Sequence, residues 1–291
     1  MCDELTNRDV EEYLSKNGLN RRDFNKLGTT AALGMLLPPV ANAVDVVEDD
    51  VMVPTPDGES DCYFVRPATG AHAAVIVWPD IVSIRPAFRA MGKRLAESGY
   101  SVLVVNPYYR TYKGQIVPDG KGFRDPGIRD LLMPHARSLS PETCVTDGRA
   151  YVEWLDAQEP VDTSRMIGTT GYCMTGSYVM RLAAAIPDRI GAGGSFHGGG
   201  LATDREDSPH LLAAQMKAGF LIAIAENDDE RNPEEKVLLR DAFDANGVEA
   251  EIEVYAGTLH GWCPPDSSVY HEEQAERAWS RMLDLFERRL S

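Results

Sequence analysis

The sequence is short of positive charge. Its 29 Lys and Arg residues face 45 Asp and Glu, a formal net charge of −16 over 291 residues. An extended nucleic-acid footprint needs clustered Lys and Arg, so nucleic acid is set aside as a partner and the acidic surplus serves solubility. Long apolar stretches are scarce too. The run from Leu27 to Leu37 falls short of the roughly 20 residues that a bilayer-spanning helix needs. The chain has no internal repeat and no low-complexity tract. Its five cysteines, Cys2, Cys62, Cys144, Cys173 and Cys263, permit a disulfide without requiring one. What remains is ample apolar content, 43% of residues, in a chain long enough to bury a full core as one large α/β domain.

The first 43 residues read as a leader and not as part of that domain. Arg21 and Arg22 precede the short apolar run, and a small-residue "ANA" ends at Ala43. That order is a secretory signal, and the arginine pair with Phe24 and Lys26 resembles a twin-arginine export signal. It implies a periplasmic protein whose mature domain spans residues 44–291, with no membrane integration once the signal is removed.

From there apolar runs alternate with helical patterns, the rhythm of βαβ units around a mostly parallel sheet with helices on both faces. "AAVIVWP" (73–79) is a buried strand. Phe88, Met91 and Leu95 recur at helical spacing after it, and Gly99 closes that helix. "YSVLVVNP" (100–107) is the next strand. The segment from Tyr108 to Leu139 has little periodicity and reads as a long excursion over the sheet edge, a substrate lid. Ser140 as N-cap and Pro141 at the first helical position open the following helix. Strands are expected at 165–173, 219–228 and 250–257, and a last amphipathic helix from about Glu272 to Arg289.

"GYCMTGS" (171–177) carries the chemistry. A strand, a sharp turn flanked by small residues and a helix lift a nucleophile above the strand ends, and here that residue is Cys173. The turn directs the Met174 N–H at a reacting carbonyl, and the helix N-terminus favours a thiolate. Asp228 follows a buried strand, with Asp229 as the competing choice, and His260 follows the next strand. Cysteine, aspartate, histidine is the chain order of the α/β-hydrolase triad.

At "VIVWPDI", "NPYYR", "GYCMTG" and "LHGW", with "ENDDERNP" in support, the sequence resembles the dienelactone hydrolase family from about Val51 onward. The resemblance implies an α/β-hydrolase fold without metal or organic cofactor, acting on a small ester or lactone. Carried over residue by residue, it makes Cys173 the nucleophile, His260 the base and Asp228 its orienting partner. The backbone N–H groups of Met174 and Ile81 become the oxyanion hole. It also makes Asp80 an acid that holds the resting thiol neutral until substrate binds, a protection against oxidation in an exported enzyme. Arg110 matches one of two arginines that clamp a substrate carboxylate; where the second would lie, this chain has "WCPPD". Thr175 stands where the family carries glycine.

"SFHGGG" (195–200) adds His197, a substrate contact or a packed loop histidine. Two other functions stay open. A glutamine-amidotransferase-like amidohydrolase shares the Gly-x-Cys turn, but it places glutamate two residues after its histidine, where this chain has Trp262. A non-catalytic exported ligand-binding protein on the same fold is the other.

Overall fold

The computed structural model describes residues 33–34 and 37–291. Arg21, Arg22, Phe24 and Lys26 of the expected export signal lie outside the described residues. Of the apolar run, Leu33 is buried against Ala87 and Ala90, with Leu37 packed beside it.

Eight strands form one sheet in the order β1-β2-β4-β3-β5-β6-β7-β8. They are β1 (Val46–Thr55), β2 (Gly58–Pro67), β3 (Ala74–Trp78), β4 (Ser101–Val104), β5 (Ile167–Tyr172), β6 (Ile190–Phe196), β7 (Gly219–Ala225) and β8 (Ala250–Tyr255). β1 and β2 pair antiparallel, as do β2 and β4; every other pairing is parallel. Fold class and sheet are those of an α/β-hydrolase. The β1–β2 hairpin, turning at Pro56-Asp57, is an addition to the sequence-based expectation. Its outer strand is an edge with mostly exposed residues, so it lacks the continuous apolar run that marks the inner strands.

Parallel strands need both faces covered, and alternation along β3 divides the core accordingly. Ile76 and Trp78 join Tyr151, Val179, Leu182 and Phe243 on one face. Val75 and Val77 join Phe88, Met91, Met282 and Phe286 on the other. The first face is covered by α3 (Pro141–Asp156), α4 (Gly176–Ala185) and α6 (Pro233–Asn246), the second by α1 (Pro86–Glu97) and α7 (Glu272–Arg289). Full burial of Phe88 or Phe286 contributes about 2–3 kcal/mol each. Helix starts follow local chemistry. Ser140 and Thr143 form a capping box at α3, and Pro86 occupies the first turn of α1.

The excursion after β4 holds structure of its own, the helix α2 (Ile128–Ala136). Its residues Ile128 and Leu132 bury with Tyr108, Ile116 and Val117, and Ile81 and Met174 pack against that cluster. The expected lid therefore lies against the two residues flanking the nucleophile crevice. A short helix, α5 (Glu226–Arg231), follows β7, so Asp228 sits in a helical turn and not on the strand end. No helix among the described residues is long and apolar enough to cross a membrane.

Candidate active site

Successive connections run from β3 to one side of the sheet and, after β4, to its other side at β5. The crevice beyond the carboxyl ends of β3 and β5 is the topological switch point, where open α/β sheets bind ligands. Pro79, Asp80 and Ile81 leave β3 there, and Cys173 and Met174 leave β5.

Cys173 has φ +57°, a left-handed conformation that a non-glycine residue adopts only when its surroundings enforce it. The close packing of the turn does so. A Cβ on Gly171 would overlap the Thr175 carbonyl oxygen, and one on Gly176 would meet Ser195 Oγ at 2.6 Å. The turn itself, Cys173–Thr175, is 3₁₀ and leads into α4.

Cys173, His260 and Asp228 lie in one chain of contacts. His260 Nε2 lies 3.1 Å from Cys173 Sγ, and His260 Nδ1 lies 2.7 Å from Asp228 Oδ2. Cys173 and His260 are buried, at 5% and 6% exposure, while the Asp228 side chain keeps 21%. Asp229 turns away to Lys236, 2.6 Å from its Nζ. The His260 backbone N–H donates to Asn227 Oδ1 at 2.9 Å, which fixes the histidine from the same helix that supplies the acid. All of these residues follow strand ends, which is why they converge.

Cys173 also differs in surroundings from the other cysteines. Cys62, Cys144 and Cys263 are buried free thiols. Burial pushes Cys62 up to about 12, and Cys144 and Cys263 well above the ordinary range, so all three stay protonated and inert.

The remaining predicted residues have other partners. Asp80 Oδ1 accepts from Arg85 Nη1 at 2.7 Å and from the Val82 N–H at 2.9 Å, and Asp80 Oδ2 accepts from Arg85 Nη2 at 3.0 Å. Arg110 is committed to Asp57 and the buried Asp147, each within 2.6 Å of Nη2, and lies over the Tyr109 ring. The guanidinium is thus held by two acids. His197 is wholly buried at φ +39°, with its ring edge-on to His260 at 5.1 Å between centroids. It is a packed histidine beside the triad.

Three contributors escaped the sequence reading: Asn227, Tyr108 and Thr175. The Tyr108 hydroxyl donates to the Ile81 carbonyl at 2.8 Å and lies 3.7 Å from Met174 Sδ, so it touches both expected oxyanion residues. Thr175 Oγ1 is within 3.0 Å of four backbone groups around the turn. Trp262, at the position where an amidotransferase would carry glutamate, is fully buried and stacks on Tyr255 at 4.9 Å. Among the described residues, no group of three His, Cys, Asp or Glu side chains is gathered as a metal site would require.

Residues 61–290 match the model of the Dienelactone hydrolase family. The carboxymethylenebutenolidase of Rhodococcus opacus is 25% identical over 226 residues, covering 77% of this chain and 84% of its own. The crystal structure of a dienelactone hydrolase-like promiscuous phosphotriesterase from metagenomic libraries is similar at TM-score 0.68 and 18% identity, over 84% of this chain and 99% of that one. A dienelactone hydrolase from Anabaena variabilis is similar at TM-score 0.59 and 15% identity, with the same coverage. At these identities the structures speak for the fold alone.

Proposed function

The chain belongs to the dienelactone hydrolase family and is a hydrolase, and on that premise we propose that it cleaves a small carboxylic ester or lactone through a Cys173-His260-Asp228 triad. The observation that supports this most is the continuous chain of contacts, 3.1 Å from Sγ to Nε2 and 2.7 Å from Nδ1 to Asp228. Asp228 accepts a hydrogen bond from Nδ1–H, which keeps the proton on that nitrogen and leaves Nε2 as the base. Nε2 takes the thiol proton as sulfur attacks the carbonyl carbon. Negative charge moves to the carbonyl oxygen, where the Met174 and Ile81 N–H groups receive it. Collapse of the intermediate expels the alkoxide, which takes its proton from Nε2, and leaves an acyl-thioester on Cys173. A water deprotonated by Nε2 then attacks the thioester through a second oxyanion, releasing the acid and returning the thiol.

Lactones and simple esters fit this scheme equally. With Arg110 bound to Asp57 and Asp147, the proposal does not depend on that residue for recognition. For Asp80 to gate the thiol it must give up part of its pairing with Arg85, so we propose that gating accompanies substrate entry. Export belongs to the same reading. Arg21 and Arg22 ahead of a short apolar run, with a small-residue site ending at Ala43, support delivery of the folded enzyme to the periplasm. N-terminal sequencing of the secreted protein tests that, with Val44 as the expected first residue.

The chemistry is tested by following p-nitrophenyl acetate hydrolysis by stopped flow in the wild type, Cys173→Ala and His260→Ala. Mass spectrometry of the quenched reaction then looks for an acetyl group on Cys173. Turnover by the wild type, acetylation at Cys173 and loss in both variants are expected. An inert wild type with Cys173 unmodified across an ester and lactone panel rejects the reading in favour of ligand binding without chemistry, and ammonia release from glutamine rejects it in favour of an amidohydrolase.

A further inference from the structure

We propose that Thr175 is a positioning residue whose hydroxyl sets the oxyanion hole by joining its two halves; this rests on the ester-hydrolase reading above. The two expected donors come from different strands. The Ile81 N–H lies two residues beyond Pro79 on the loop leaving β3, and the Met174 N–H immediately precedes Thr175 on the turn leaving β5. The last register pair between these strands is Trp78 with Gly171, so no sheet hydrogen bond reaches the donors. Thr175 Oγ1 occupies the gap. It accepts from the Tyr172 N–H at 2.9 Å and lies 2.9 Å from the Trp78 carbonyl, 3.0 Å from that of Pro79 and 3.0 Å from that of Tyr172.

A hydroxyl has one proton and two lone pairs, so it accepts the Tyr172 N–H and shares its single donation among three carbonyls. Trp78 belongs to β3, Pro79 to the loop leaving it and Tyr172 to β5. The residue is wholly buried, and water does not replace the bond if the hydroxyl is removed. Glycine at this position would supply none of these contacts. The chemistry gives them their value, because a donor stabilises an oxyanion only when fixed where the charge develops. His260 is held separately, through the Asn227 bond, and in turn contacts the thiol at 3.1 Å.

That separation provides the test. Ester cleavage passes through an oxyanion. Alkylation of Cys173 by iodoacetamide does not, since sulfur displaces iodide directly and only the Cys173-His260 pair matters. In the full chain, Thr175→Val keeps the branched shape and removes the hydroxyl, while Thr175→Ser keeps the hydroxyl and removes a methyl. We expect Thr175→Val to lower kcat for p-nitrophenyl acetate by about a hundredfold, with KM and the Cys173 alkylation rate within about twofold of the wild type. Thr175→Ser recovers most of kcat. If Thr175→Val does not fold, Thr175→Ala is measured in the same way. Unchanged kcat in the folded variant overturns the inference, as does an alkylation rate that falls in proportion to kcat, which would make Thr175 a support of the thiol instead. A wild type that hydrolyses no ester rejects the underlying function as well, and so is distinct from a failure at Thr175 alone.

Discussion

His197 stands edge-on to His260, its ring centroid 5.1 Å away, and neither of its ring nitrogens has a hydrogen-bond partner among the described residues. Its other ring neighbours are Tyr172 and Trp262, which offer it faces and edges but no carboxylate. Burial first, and the neighbouring His260 second, hold its pKa well below the ordinary 6.5. In the unfolded chain the same ring protonates near 6.5, so below that pH the unfolded state binds a proton that the folded state refuses. Stability is therefore full above pH 6.5 and falls as the pH drops below it, by up to about 1.4 kcal/mol per pH unit for this one group. Asn tolerates the positive φ and does not titrate. Denaturant unfolding of wild type and His197→Asn between about pH 7.5 and about pH 5, a range that spans that midpoint, is expected to give a shallower decline in the variant. Parallel curves would mean that His197 finds a partner at low pH.

Asp228 and Asp229 are adjacent in sequence and opposite in role. Asp228 holds His260 Nδ1, whereas Asp229 pairs with Lys236 on α6. Asp228→Asn presents an amide to the ring and favours the wrong tautomer, with an expected loss in kcat on the order of 10³ to 10⁴-fold. Asp229→Asn removes only a partly exposed ion pair and is expected to leave kcat within about twofold. Steady-state ester hydrolysis by the two variants checks this, and a large loss in Asp229→Asn with little in Asp228→Asn would show that the pair had been assigned the wrong way round.

The residues proposed for the triad could be found because Cys173 directly follows β5 and Asp228 and His260 lie a few residues beyond β7 and β8, while β3, β4 and β7 betray themselves as runs of apolar residues covered on both faces. The β1–β2 hairpin does not. Most residues of β1 face water, and its pairing partner, not its composition, makes it a strand. Thr175 and Asn227 were invisible as supports for the same kind of reason: their hydroxyl and amide bind backbone groups 96 or 33 positions away, contacts that leave no periodic trace. Arg110 could be read as a cation near the site, but the acids that take it, Asp57 and Asp147, lie 53 and 37 residues away.

Gly171 faces a stricter constraint than any propensity. A methyl there would overlap the Thr175 carbonyl oxygen, which is backbone and cannot rotate aside, and would press on Val179 at 3.0 Å. Gly171→Ala is expected to move the turn, to destabilise the protein by about 1–3 kcal/mol as overpacking does, and to cost more activity than its stability loss explains. Thermal unfolding and kcat, measured together at a temperature where the variant remains folded, separate the two effects. A folded variant with wild-type kcat would show that the nucleophile turn tolerates displacement.

Arg85 ties the loop that carries Ile81 to the loop that follows His260. It is 7% exposed and lies between Asp80, at 2.7 Å and 3.0 Å, and Asp266, at 2.6 Å and 3.0 Å, with its guanidinium over the Phe88 ring. Burial works against its charge, but Asp266 and Asp80 outweigh that and hold it firmly charged. Removing the cation leaves two carboxylates facing each other in a poorly solvated space, so Arg85→Met is expected to cost about 3–5 kcal/mol, roughly 10 °C in Tm for a domain of this size. Arg85→Lys cannot reproduce two bidentate pairs from one ammonium, and is expected to recover less than half of that loss. Adding Asp80→Asn to Arg85→Met removes one stranded charge and is expected to recover part of it, because the penalty comes from unpaired acids and not from the absence of an attractive contact. Thermal melts of the single variants and the double variant decide the matter. Strictly additive losses would mean that Asp80 and Arg85 support their loops independently, and the bridge between the two sides of the crevice would then be Arg85 with Asp266 alone.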